Sequence, residues 1–368
     1  MLLQSVNYAP QHSLVDLHDL GEKAIVQSVV LPIFAESGEA ACIGDDAALI
    51  EIDKSTAIAV STDRMPEEPI AKTLGLMNES DLGRYLIVSN LSDIAAMGAS
   101  PIALLTNLVF PNDFQLDDFK EFLYGISSAA TEYDVPVVGG DTKSGSARSC
   151  SAVAIGVLPR GEGLKRSTAE IGDSIFVTGT PCGFSTALCY NLIKNKEQSI
   201  HSEQTINELN KFFISQVPRI KEGIELRKSK IITACQDISD GVGQTIYEIA
   251  NSSNLGAIID LPKLTNAAPI ITKEVSSLSG ISMPQILLGP SADFELIFCT
   301  NNKYEEAVYK IFSKLGTQVN KIGEITQKQE FIFREFDGTL HPYKDMGWQS
   351  FNKKKDKSIF KKLYGGNI

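Results

Sequence analysis

The feature that most constrains this chain is a recurring join, an apolar strand followed by an aspartate in a polar turn containing Gly, Ser or Thr. It occurs in CIGDDAALI (Asp45 and Asp46), AVSTD (Asp63), SNLSDIAAMGA (Asp93), VVGGDT (Asp141) and QDISDG (Asp237 and Asp240). Short runs such as ALIEI, TAIAVSTD, PVVGGDT and SAVAIGVLP read as strands bounded by turns. Helical spacing lies between them, at residues 84–98 and 116–133. Alternating strands and helices imply an α/β or α+β domain ending near Pro159.

The polar, glycine-bearing stretch 160–174 reads as a linker into a second α+β domain over residues 175–350. There, IFVTGT, IITACQD, GAIIDL and FELIFCT read as strands, with helices over 203–229 and 242–251. Residues 1–20 form an N-terminal extension, an opening helix is expected over 16–37, and the first domain spans 21–159. Residues 351–368 are a basic tail, read as a solvated end.

A net charge of −11 argues against a nucleic-acid surface. No apolar run is long enough to span a bilayer, and no secretory leader opens the chain, so a cytoplasmic protein with no membrane partner is expected. The six scattered cysteines include no CxxC and the four histidines no HExxH, so a zinc site is not expected.

Carboxylates beside hydroxyls are hard oxygen ligands, the set that suits magnesium bound to phosphates. Each Asp read singly is equally a helix cap or turn former. Several together, with almost no counter-charge in their motifs, favour a cation among them, because clustered carboxylates repel. GxxxxGK[ST] is absent, as are the HRD and DFG motifs of protein kinases, so metals and turns would have to hold any ATP.

In order, GDDAALI, STD, NLSDIAAMGASP, GGDT, KRST and DISDG resemble the motifs of the thiamine-monophosphate kinase family, within the aminoimidazole-ribotide-synthetase-like superfamily. DLGR from Asp81 is similar to hydrogenase-maturation relatives in that superfamily. The resemblance spans roughly residues 20–350 and makes the chain a divergent member. It implies a two-domain α+β fold, a homodimer whose N-terminal strands close a barrel, and ATP with several Mg2+ ions near that interface. Carried over by position, the metal ligands are Asp46, Ser61, Thr62, Asp63, Asp93, Asp141 and Asp237, with Asp240 holding a further metal. Gly140, Asp141, Arg166 and Ser239 would contact ATP. Arg166 read without the family is a surface residue in a linker. Direct phosphoryl transfer needs alignment and charge neutralisation more than covalent help, so no general base is nominated.

The acceptor side departs from the family pattern. Where the family carries a stretch like LVEGVHF, with a His that contacts the acceptor, this chain reads RMPEEPI and places Ile70 there. The family's GGEDYEL appears as GPSADFEL, with Ala292 replacing an acceptor-contacting Glu; Asp293, Phe294 and Glu295 remain. Trp348 and Phe351 persist as acceptor-ring contacts, or as plain packing. An ATP- and Mg2+-dependent phosphotransferase follows, acting on a small molecule other than thiamine monophosphate. One alternative is ATP activation of an amide, formyl or thiocarboxamide oxygen for dehydration or cyclisation. Another is an inactive nucleotide-binding subunit.

Overall fold

The structure, a computed structural model, describes residues 17, 22–36, 44–194 and 202–343. Residues 1–41 with 349–368 make one compact unit and residues 42–348 the other. The described part of the first unit is helical over Glu22–Ile25, Val26–Val30 and Leu31–Glu36, the middle segment being a π-turn. Within those residues the expected opening helix is present.

The larger unit carries two sheets. The first has five strands, β1 (Ala48–Glu51), β2 (Thr56–Arg64), β3 (Ser100–Phe110), β4 (Val137–Ser144) and β5 (Ser149–Pro159), in the order β1-β2-β5-β3-β4. Only β3 and β4 run parallel, and the helix Leu116–Glu132 supplies the crossover that parallel neighbours need. Alternate residues of β2 and β5 point inward, placing Ala57, Ala59, Ala152 and Ala154 on the buried face. That small-residue floor lets the helix Glu79–Ala96, here α1, lie close to the sheet. A Cβ added at Gly156 would press on Ile94 and Ala99.

The second sheet has seven strands: β6 (Asp173–Thr178), β7 (Ile232–Asp237), β8 (Gly256–Asp260), β9 (Leu296–Asn301), β10 (Val319–Thr326), β11 (Phe331–Arg334) and β12 (Leu340–Pro342). Their order is β12-β11-β8-β10-β6-β9-β7. β6 is buried along its whole length, and its neighbours pack around Ile175, Val177, Ile297 and Ile246. Besides lying on the first sheet, α1 contacts β7 and the helix Ile220–Ser229. Its interior is therefore buried on several sides, and Asn90 and Ser92 are fully enclosed. Arg227 Nε donates to the Gly98 carbonyl at 2.8 Å, fixing the turn that follows α1.

Candidate active site

Three elements deliver carboxylates to one point. Asp46 comes from the turn before β1, Asp93 from the last turn of α1, and Asp237 from the end of β7. One oxygen from each lies within 4.8 Å of the others. Hydroxyls brace the group. Ser61, on the inward face of β2, donates to Asp93, and Ser92 donates to Asp237 at 2.5 Å. Asn90 locks β2 to α1 by accepting from the Asp63 N–H at 2.9 Å while donating to the Leu86 carbonyl at 2.8 Å.

The electrostatics are those of a site short of positive charge. Burial pushes the Asp46 carboxyl up to about 6; Arg166 opposes that shift, while Asp45 and Glu248 add to it. Asp93 is held well above the carboxylate range by burial and then by Asp237, Asp46 and Asp63. Burial and Asp46 raise Asp237, and the Ser92 hydrogen bond partly relieves it. Three carboxyls that resist ionising together are what a divalent cation would relieve, and hard oxygen donors suit magnesium.

The remaining sequence-nominated residues take different places. Asp63 is exposed at the end of β2, near enough to act on Asp93 and Asp237 but outside the three-carboxylate group. Thr62 Oγ1 donates to the Ala152 carbonyl at 3.0 Å, tying its hydroxyl to β5. Asp240 is half-buried and Ser239 exposed in the turn after β7. Asp141 does not join the group. It lies on the exposed edge strand β4, with β5 and β3 between it and β2, and its charge neighbour is Lys143 at 3.6 Å. At about 4.8 Å per strand, that is roughly 14 Å. Gly140 packs so tightly on the Thr106 carbonyl that a side chain there would collide. Trp348 and Phe351 lie outside the described residues.

Arg166 is no surface residue. Its side chain is 18% exposed, and it pairs with Asp46, with Glu248 at 3.4 Å and with Asp45 at 3.9 Å. Its own N–H donates to Asp45 at 2.7 Å. Glu248 is gripped in turn by Gln236 at 2.6 Å and Gln244 at 2.8 Å. Motif reading missed this layer. Gln244 and Glu248 stand four apart on the helix Val242–Ser252, a common spacing that signals nothing until β7 brings Gln236 against it.

The loop before β9 shows what the retained Asp293-Phe294-Glu295 does. Asp293 accepts from the Cys182 N–H at 2.8 Å and the Phe184 N–H at 3.0 Å, anchoring the entry to the helix Gly183–Lys194. Glu295 takes Arg219 at 2.6 and 2.5 Å and Thr178 at 2.6 Å. Phe294 has a left-handed backbone (φ 54°) and lays its ring 5.4 Å from that of Tyr85 on α1. Ala292 offers its carbonyl to Gln216 at 2.9 Å. Across the site, Arg148 pins the 64–70 segment by donating to the Glu67 carbonyl at 2.9 Å while pairing with Glu79 at 3.0 Å.

Comparison with known proteins identifies the family. Residues 44–158 match the N-terminal domain of AIR synthase related proteins, and residues 170–334 match the C-terminal domain. Thiamine-monophosphate kinase of Buchnera aphidicola (subsp. Acyrthosiphon pisum, strain APS) is 35% identical over 286 residues, covering 77% of this chain and 84% of that protein. The chain belongs to the thiamine-monophosphate kinase family. The Escherichia coli K12 member is 31% identical over 300 residues, covering 80% of this chain and 87% of its own length. Among solved structures, the thiamine-monophosphate kinase of Stenotrophomonas maltophilia K279a is 26% identical with a TM-score of 0.64, covering 84% of this chain and 96% of that one. AaThiL complexed with AMPPCP and TMP is similar in fold, with a TM-score of 0.74 at 23% identity, covering 91% of this chain and 99% of that one. As a thiamine-monophosphate kinase family member, the chain is an ATP-dependent kinase-type enzyme with magnesium as its metal. Among the described residues no helix is long and apolar enough to cross a membrane.

Proposed function

We propose that this enzyme transfers the γ-phosphoryl group of ATP directly to a small-molecule acceptor other than thiamine monophosphate. The observation that carries the site is the meeting of Asp46, Asp93 and Asp237. These carboxylates would hold magnesium with Ser61, and Thr62 and Asp63 would contribute at the end of β2. Asp240 would hold a further ion, and Gly140, Asp141, Arg166 and Ser239 would contact the nucleotide. Bound magnesium neutralises phosphate charge as it develops during transfer.

The chain's own residues do the positioning. Ser61 and Ser92 orient the carboxylates, and Asn90 ties β2 to α1. An anionic acceptor oxygen needs no protein base.

The reading of the acceptor rests on Ile70 and Ala292. Neither side chain can donate or accept a hydrogen bond, and a polar substrate loses roughly 1.5–3 kcal/mol for each such bond to a charged group. Catalytic efficiency toward thiamine monophosphate should then fall roughly a hundredfold to several thousandfold below that of a dedicated small-molecule kinase. Steady-state ADP formation with ATP and Mg2+ tests this, using thiamine monophosphate as reference in a screen of acceptors. Efficiency of about 10⁴ M⁻¹s⁻¹ or more with thiamine monophosphate refutes the acceptor assignment. Asp93→Asn should abolish Mg2+-dependent turnover with any acceptor while leaving the fold intact; full activity in that variant refutes the metal assignment.

A further inference from the structure

Asp46, the carboxylate offered by the turn before β1, already has a cation on it. Arg166 pairs with it, while Glu248 and Asp45 hold the same guanidinium at 3.4 and 3.9 Å. The hold is incomplete. Arg166 Nε is buried with no hydrogen-bond partner, and the same is true of the amide oxygens of Gln236 and Gln244, both gripping Glu248. An enclosed polar layer with three such atoms is not a finished structural salt bridge, because each costs about 1–3 kcal/mol when left unpaired.

We propose that Arg166 stands in for a divalent cation at Asp46 in the nucleotide-free enzyme, and must leave Asp46 before a metal can occupy that corner of the site. The inference rests on the reading of Asp46, Asp93 and Asp237 as the metal group. A guanidinium and a divalent ion cannot both sit against the same carboxylate oxygens, so the two compete. Nucleotide phosphates give Arg166 an alternative partner. Metal and nucleotide then enter together, and the free enzyme holds metal weakly. The fork geometry matters: a guanidinium spans Asp46 and Glu248 at once, whereas an ammonium is a point charge that cannot.

The test is nucleotide-free Mn2+ binding to the full-length chain, measured by calorimetry or paramagnetic resonance, for wild type, Arg166→Gln, Arg166→Lys and Asp93→Asn. Circular dichroism confirms folding, and the two Arg166 variants guard each other against a misfolded result. Arg166→Gln and Arg166→Lys should both bind Mn2+ at least about tenfold more tightly than wild type. A mere charge effect would leave Arg166→Lys at the wild-type affinity, and that outcome overturns the stand-in role. Unchanged affinity in Arg166→Gln overturns it as well. Asp93→Asn separates the two layers of the argument. Loss of Mn2+ binding there, beside unchanged Arg166 variants, refutes only the competition. Undiminished binding refutes the metal group itself, and the competition with it.

Discussion

Asp93 is costly for folding, and its proposed role is to hold a metal ion with Asp46 and Asp237. Its carboxyl sits with Asp46 and Asp237 in a buried group whose members are all held above the ordinary carboxylate range, Asp46 at about 6. A folded-state pKa raised above the unfolded value means that the folded chain keeps protons the unfolded chain has lost. The carboxyls' contribution to metal-free stability is then fully present below the unfolded pKa and is lost as pH rises through the folded pKa. In EDTA, the Asp46 contribution should lower the melting temperature as pH rises from about 4 to about 6, between the ordinary carboxylate value and the raised one. Mg2+ should restore it at the upper end. Asp93→Asn should raise the EDTA melting temperature at neutral pH by about 2 °C and erase the Mg2+-induced rise. Thermal unfolding with and without Mg2+ checks both, and a lower EDTA melting temperature in the variant contradicts the account. Asp46 and Asp237 were legible in the sequence because turn chemistry beside apolar runs marks them, whereas Asp93, read as a turn after a strand, lies within α1. Arg166's partners were not legible, since Asp45, Asp46 and Glu248 are far from it in sequence and only the packed fold brings them together.

At the scale of elements, α1 is the member that organises the site. The spacing placed a helix over 84–98, whereas the helix runs Glu79–Ala96. Its true start was written in NESD, where Asn78 and Asp81 form a reciprocal capping box. Strand β3 carries no sequence assignment; it begins next to Pro101 and is bounded by Pro111, which breaks the pattern of a strand read in isolation. The helices Gly183–Lys194 and Glu305–Leu315 were likewise not anticipated. The crossing of α1 with the helix Leu116–Glu132 depends on two glycines. A Cβ at Gly83 would collide with the Phe122 carbonyl, and one at Gly125 with that of Ser80. Backbone cannot swing aside as a flexible side chain can. Gly83→Ala should therefore destabilise the fold by about 1–3 kcal/mol despite alanine's better helix propensity. Urea denaturation measures it, and a stabilised variant would mean that the helices are not held this closely. Because Asp93 rides on the same helix, Mg2+ affinity should fall along with stability.

At the scale of the whole molecule, the first sheet leaves an edge that a single chain does not explain. β4 is exposed along all eight residues, including Val137 at 40% and Val138 at 61%. An exposed edge strand that opens on two apolar residues is a ready template for pairing with another chain. The same strand carries Asp141 and Gly140, two of the residues proposed to contact nucleotide, with β5 and β3 between them and β2. The proposed homodimer, with N-terminal sheets facing each other, would cover the valines and enclose those residues in a site shared by two copies. The sequence pointed to this assembly only through its family motifs, because one strand's exposure is invisible until its neighbours are placed. Light scattering at micromolar concentration should give twice the 40.0 kDa chain mass, with well over about 1,000 Å² buried between the copies. Val138→Lys puts a charge into that contact and should yield monomers that retain the Mg2+-dependent thermal shift, since Asp46, Asp93 and Asp237 all belong to one chain. A monomeric wild type excludes the dimer. A Val138→Lys protein that stays dimeric would place the interface on another face.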